Sequence, residues 1–542
     1  MTHMAKGNHR SMPSPSATPT PAIVIAALVA LLATPAAADE LRIAMKGAVD
    51  GADPHQSYTP NRNVQYHVYE PLVFQDEHLR PYPGLAESWR AVDPLTWEFT
   101  LRPGVRFHDG SPLTPADVAF SLMRARTAVG IRTYASSVRN IVSVEPTGER
   151  TLLIHEREPT PLQPGVLASV AIVSAKAAAD ATTVDWNGGR AAIGTGPYKW
   201  VRWTPAQNVI LERNADYWGE KEPWDRVTFS FIPNDSARVA ALLSGDIDVA
   251  DTLPAELYDR VRASDRLKLV TVDSIFTNYL YIDSVSPTTP NALGPDGQPL
   301  PTNPMRDRQV REAMDHALNR TALAERAMQG GATAAGQTAA PGLSGHVPGL
   351  EPSRYDPALS RKLLAEAGYP QGFTLNLTCT SDRFAGDSRT CQAVGQMLNA
   401  VGIKVQIEAL PMTIYSRRWA TYGPSGSSDF AATISMFGTT TGIGSEGLNT
   451  ILHSSDPGRG LGANNRRFVA DPAMDAALTK IDSTFDDAMR DKLVQDAVRY
   501  AMDQRLVLPL FFVKASWGVR RTLTLTPRAD QYTLATSVRT VK

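Results

Sequence analysis

Only two cysteines, Cys379 and Cys391, occur in 542 residues. A disulfide-dense scaffold is therefore excluded, and at most one bond can form. Their spacing does not suit a C-x-x-C redox pair, and no histidine pair lies near enough in sequence to complete a zinc site with them. An excess of basic charge is also lacking: 54 Lys and Arg face 55 Asp and Glu. Such a balance gives no support to nucleic-acid or anionic-membrane binding. The ten histidines show no metal-ligand spacing, so neither a metal nor another cofactor is expected. G-x-S-x-G and H-E-x-x-H are absent, which leaves a secreted hydrolase without a recognisable nucleophile or base. No repeat of solenoid period is visible.

Long apolar runs are nearly missing too. The one that stands out is Ala22 to Ala33, preceded by Lys6 and Arg10 and followed by Ala36-Ala37-Ala38. It is short for the ~30 Å hydrocarbon core of a bilayer, and the A-x-A tripeptide offers a cleavage site. Residues 1–38 are thus expected to be a secretory signal peptide, cut between Ala38 and Asp39, with an uncleaved anchor as the alternative. No cysteine adjoins that point, so a lipid anchor is not expected. Export to the periplasm follows. About 500 remaining residues exceed what one core organises and predict two or three domains.

Strand-like runs occur at 41–46, 69–74, 95–101, 151–155, 197–203 and 208–213. Helices are predicted after a cap among Asn234, Asp235 and Ser236 and ending at Gly245, at about 306–318, and at 357–367 before Gly368. Residues 373–410 read as strand, helix, strand: a βαβ unit. The stretch 284–304 is polar and reads as a linker or surface loop. Most informative is 104–124, GVRFHDGSPLTPADVAFSLMR. Asp109-Gly110 supplies a tight turn, Thr114 a helix N-cap, Pro115 the first helical position, and Asp117 follows three residues after the cap.

As an ordered string, 104–124 resembles a signature segment of the peptide/nickel/opine family of solute-binding proteins that serve ABC importers. Residues 69–89 (YEPLVFQDEHLRPYPGLAESW), 194–200 (GTGPYKW), 211–218 (LERNADYW), 234–251, 306–320, 361–370 and 506–512 (LVLPLFF) follow the family's order. The resemblance covers nearly the whole mature chain. It implies an α/β, two-lobed periplasmic binding-protein fold with a hinge and an inserted α+β subdomain. Lobe I would comprise 39–72, 191–282 and 509–542, the subdomain 73–190, and lobe II 283–508, with crossovers near 282 and 508. A small peptide or peptide-like molecule bearing a carboxylate is the implied ligand, and permease subunits of an ABC importer the implied partners of a monomer. Nickel-complex, opine or sugar binding, or ligand presentation to a sensor, are the alternatives.

Arg383, in SDRFAGD after the strand ending at Cys379, matches the arginine that pairs with the substrate carboxylate in dipeptide-binding members. A surface pairing with Asp382 or Asp387 is the competing reading. Phe437-Gly438-Thr439-Thr440-Thr441 matches the stretch where such members place an aspartate for the ligand's ammonium. Thr440 stands at that place, so the charge is either not needed or comes from Asp429 or Glu446. Tyr58, Arg132, Tyr134, Phe276, Asn278, Tyr415 and Trp419 complete the expected ligand contacts, although ordinary packing would explain each. His108 reads as a turn residue. The loop between Cys379 and Cys391 is short enough that a disulfide would contribute about 3 kcal/mol; two buried thiols are the alternative.

Overall fold

Alternating apolar residues and well-capped helices recur along the chain, and the backbone gathers them into one long mixed sheet and a small antiparallel one. The computed structural model describes residues 39–541 except 57, 129–132, 290–291, 421–429, 440, 457 and 467. The expected leader, together with Arg132, Asp429 and Thr440, lies outside the described residues. Among those described, no helix is long and apolar enough to cross a membrane.

The long sheet has eleven strands. In chain order they are β1 (Glu40–Met45), β2 (Tyr198–Thr204), β3 (Asn208–Arg213), β4 (Arg226–Phe231), β5 (Val249–Ala250), β6 (Leu267–Ile282), β7 (Ala332–Ala334), β8 (Phe373–Thr380), β9 (Ile403–Leu410), β10 (Ala432–Phe437) and β11 (Leu508–Arg520). Their spatial order is β2-β3-β4-β1-β5-β11-β6-β10-β8-β9, with β7 added to β11. The predicted βαβ unit is present: β8 and β9 pair in parallel, and the helix Asp387–Asn399 between them buries Cys391, Val394 and Leu398.

Separate cores form towards the two ends of this sheet. One gathers Leu41, Ile43, Val209, Leu211, Val227, Phe229 and Trp517. The other gathers Leu280, Ile282, Leu375, Leu377, Ile434, Leu508 and Leu510. Among the described residues, the long antiparallel pair β6 and β11 runs from one to the other. Its pairing is interrupted between Asp273 and Thr277, where the two cores part.

A third core belongs to the four-stranded antiparallel sheet Ala86–Asp93, Thr96–Leu101, Thr151–Glu156 and Ile141–Pro146. Against it packs the helix Pro115–Thr127, whose start is a capping box. The Asp117 N–H donates to the Thr114 hydroxyl, and the Thr114 N–H donates back to Asp117 at 3.0 Å. Gly110 carries the turn before it at φ +83°, a region open to glycine at little steric cost.

The motif segments are tied to one another by buried polar groups. His108 accepts from the Gly194 N–H at 3.3 Å through Nδ1 and donates from Nε2 to the Gly196 carbonyl at 3.0 Å. Burial holds its pKa down to about 4, so the ring stays neutral in its turn. Glu70 accepts from the Tyr217 and Thr195 hydroxyls, each at 2.7 Å, and from the Trp218 indole at 2.8 Å. Among the described residues no cation is bonded to this carboxylate, and burial pushes its pKa up to about 7.

One sequence expectation is corrected, and another is narrowed to one of its alternatives. The run 69–74 is not one strand but two, Glu70–Pro71 and Val73–Gln75, which pair with different partners. Pro71, lacking an N–H, cannot continue a ladder on both sides. In its described residues the polar stretch 284–304, expected as a linker or surface loop, is a loop tied to the fold. Buried Asn303 donates to the Asp283 and Ser286 carbonyls at 2.8 and 3.1 Å, and Leu293 bridges to Thr374 of β8.

Candidate ligand-binding site

The carboxyl end of β8 is where the chain leaves the second core, and Thr380 to Arg383 form the exit. Buried Asp387 shapes it, accepting from the Thr380 hydroxyl at 2.9 Å and the Arg383 N–H at 3.0 Å. Cys379 and Cys391 are joined by a disulfide, their Cα atoms 6.3 Å apart, which ties the strand end to the following helix. Asp382 is occupied elsewhere, accepting from the Met412 N–H at 2.7 Å. The Arg383 guanidinium therefore pairs with neither aspartate. It donates from Nη2 to the Met436 carbonyl at 3.2 Å and makes no ion pair among the described residues.

Arg383 faces a cavity of about 380 Å³, a volume within the usual range for small-molecule sites. Thr252 and Gln531 line it from the first core's side, Met328 and Met436 from the second, and Phe276 and Lys514 from the crossing strands. Ligands of open α/β sheets bind outside the carboxyl ends of the strands, and here two sets of such ends meet. Thr252 and Gln531 adopt φ of +48° and +68°, left-handed values that a residue with a Cβ holds only when its surroundings enforce them. For Thr252 the enforcement is Arg238, fully buried, which donates to the Asp251 and Thr252 carbonyls at 3.0 and 2.8 Å. Asn278 lies in β6 between Met436 and Phe511, fully buried, and neither atom of its amide has a partner.

The other expected contacts divide into three groups. Phe437 lines a separate small recess beside Thr439 and Gly438. Glu446 accepts from the Thr439 hydroxyl at 3.0 Å and from Thr441, placing a carboxylate in the threonine run, though it faces a different cavity, with Asn449 and His453. Tyr415 and Trp419 pack into an aromatic cluster. Their rings stack at 5.7 Å, Trp419 stacks on Phe468 at 5.5 Å, and the Tyr415 hydroxyl meets that of Thr433 at 2.8 Å. Tyr134 is buried in the subdomain core with the Arg62 guanidinium 4.9 Å above its ring. Tyr58 is half-buried just before the helix Thr59–Gln65. Of the expected set, then, the cavity unites Arg383 and Phe276.

Several cavity residues escaped the reading of the sequence. Lys46 follows the apolar strand β1, and Lys514 interrupts the apolar run of β11. A cation directly after, or inside, a buried strand was the available signal. Arg389 lies on the exposed side of its helix, and its spacing carried no sign of a cavity.

Two cores joined by one pair of strands, with a cavity walled by both, define a two-lobed binding protein. The chain belongs to the bacterial extracellular solute-binding proteins, family 5, whose model matches residues 80–459. It is 28% identical over 476 residues to the glutathione-binding protein GsiB of Pectobacterium atrosepticum, covering 86% of this chain and 88% of that one. GsiB of Escherichia coli is 28% identical over 395 residues, 72% and 73% of the two chains. Among solved structures, the unliganded open form of the periplasmic murein tripeptide binding protein MppA matches with a TM-score of 0.79 at 22% identity, over 94% of this chain and 98% of that one. HbpA2 from Haemophilus parasuis matches with a TM-score of 0.80 at 22% identity, over 93% and 100%. These likenesses establish the two-lobed periplasmic binding-protein fold.

Proposed function

We propose that the protein captures a peptide or peptide-like molecule in the periplasm and delivers it to the permease of an ABC importer, with Arg383 holding the ligand's carboxylate. The observation that carries this reading is an arginine at a strand's carboxyl end, facing a cavity walled by both lobes and bonded to no carboxylate. A guanidinium presents parallel donors that match a carboxylate's two oxygens. The glutathione-binding relatives and the tripeptide-binding fold neighbour bind ligands of that chemistry by their names.

In this reading, lobe I is 39–72, 191–282 and 509–542, the inserted subdomain 73–190, and lobe II 283–508. The crossovers expected near 282 and 508 we move to where β6 loses its pairing, just after Asp273, and to the facing part of β11, because Leu280, Ile282, Leu508 and Leu510 pack in the second core. Ligand contacts with both lobes exist only in the closed form, so ligand shifts the population towards it. Residues 1–38 act as the cleaved leader, and the protein works as a monomer without catalytic activity.

The test is mass spectrometry of ligand released from purified protein, followed by a thermal-shift screen over glutathione, di- and tripeptides, opines and sugars. A ligand at a hundred times its Kd adds about 2.7 kcal/mol of stability. The strongest shift is expected from a peptide-like ligand with a free carboxylate. A strongest shift from an uncharged sugar would overturn the reading.

A further inference from the structure

Arg383 is not the only uncommitted cation in the cavity between the lobes. Lys514 and Arg389 line it as well. Lys514 is half-buried on β11, and its ammonium reaches only the Gly330 carbonyl, at 3.4 Å. Asp273, opposite it in the sheet, accepts the Thr333 hydroxyl at 2.7 Å and forms no ion pair with it. Arg389 donates from Nε to the Ala327 carbonyl at 2.9 Å. Ala327 ends a short helical segment and Gly330 lies in the turn that follows it, so one stretch of backbone accepts from both cations.

An ammonium has three donors and a guanidinium five. Each of the three cations uses one of them on a backbone carbonyl. Lys46, the fourth cation of the cavity, is by contrast paired with Asp235 at 3.0 Å. Asp235 in turn pairs with Arg238, which leaves Glu256 as the cavity's remaining carboxylate. Among the described residues, charge in the cavity is therefore unbalanced, with three cations that lack an anion against one such acid. A single carboxylate on the ligand would satisfy Arg383 and leave Lys514 and Arg389 in the same cavity without a counterion, an arrangement that closure of the lobes would make less favourable.

We infer that the ligand carries two carboxylates, one held by Arg383 and the second by Lys514 and Arg389 at the hinge side of the cavity. The inference rests on the reading of this cavity as the ligand site and narrows it from peptide-like molecules to those with two carboxylates. Lys514 stands on one of the two strands that join the lobes, so the second carboxylate is gripped where the lobes turn.

Titration calorimetry with glutathione, which has two carboxylates, and with its glycine monoethyl ester, which has one, provides the test. The wild-type protein is expected to bind the ester at least tenfold more weakly than glutathione. Lys514→Gln and Arg383→Ala should each weaken glutathione binding at least tenfold, with the melting temperature of the unliganded protein unchanged. Against the ester, one of the two variants should lose nothing further, because the partner of its cation is already blocked. Lys514→Arg, which keeps the charge, should bind glutathione nearly as wild type does. Equal affinity of wild type for glutathione and ester, with Lys514→Gln unaffected, would overturn the inference and leave the single-carboxylate reading standing. Failure of the wild type to bind either compound, or any di- or tripeptide, would overturn both.

Discussion

The segments that carry the family motifs and the segment that walls the cavity treat their polar groups in opposite ways. At Glu70, His108 and Thr114-Asp117, donors and acceptors are matched inside the protein, down to both nitrogens of one imidazole and both oxygens of one carboxylate. At Arg383, Arg389 and Lys514, charged groups touch only backbone carbonyls and keep most of their donors free. A buried polar group with every bond made is a fastener for the scaffold. An ionised group left without its counterion beside a cavity is held ready for something else. The contrast separates residues that identify the fold from residues that choose the ligand.

The largest expected effect attacks the fastener. Glu70→Ala strands the Thr195 and Tyr217 hydroxyls and the Trp218 indole, at about 1–3 kcal/mol for each donor, so chemical denaturation should show a loss of several kcal/mol. Ligand affinity of the protein that remains folded should stay as it was. The same carboxyl sets a pH dependence. Its folded pKa, about 7, lies above the ordinary carboxylate value, so the native state holds a proton that the unfolded state has released. That contribution is fully present below the unfolded value and is lost as pH rises through about 7. Glu70→Gln should flatten this part of the stability profile, and an unchanged slope would place the titration elsewhere.

Next in size is the disulfide. Reduction of Cys379–Cys391, or replacement of both residues by serine, should lower stability by about 3 kcal/mol on loop-closure grounds. Because the bond secures the strand end that leads to Arg383, a loss of affinity should accompany it, unlike the case of Glu70. Equal affinity with and without the bond would show that the loop 381–386 holds its shape through Asp387 alone.

How much of this was legible in the sequence follows the same division. The turn at Asp109-Gly110, the capping box at Thr114, the helix ending at Gly245 and the βαβ unit at 373–410 are set by neighbours within a few residues, and local chemistry was enough to read them. Arg383 was singled out because it matches the arginine of dipeptide-binding members, in the loop after a strand. Lys514 and Arg389 were not, since only the fold brings β11 and the helix after β8 to one cavity, beside the segment 327–330. Tyr415 and Trp419 were expected at the ligand for their aromatic character, which equally suits the cluster with Tyr281 and Phe468 that buries them. Residue type cannot distinguish an aromatic platform from an aromatic core; only the partners do.

The smallest effect on stability belongs to the site, and it is also the most direct trial of the account. Titration calorimetry of Arg383→Ala against the ligand recovered from the wild-type protein should give a Kd at least tenfold weaker, about 1.4 kcal/mol, with no change in the unliganded melting temperature. An unchanged Kd would contradict the assignment of the cavity between the lobes as the place where the ligand's carboxylate is held.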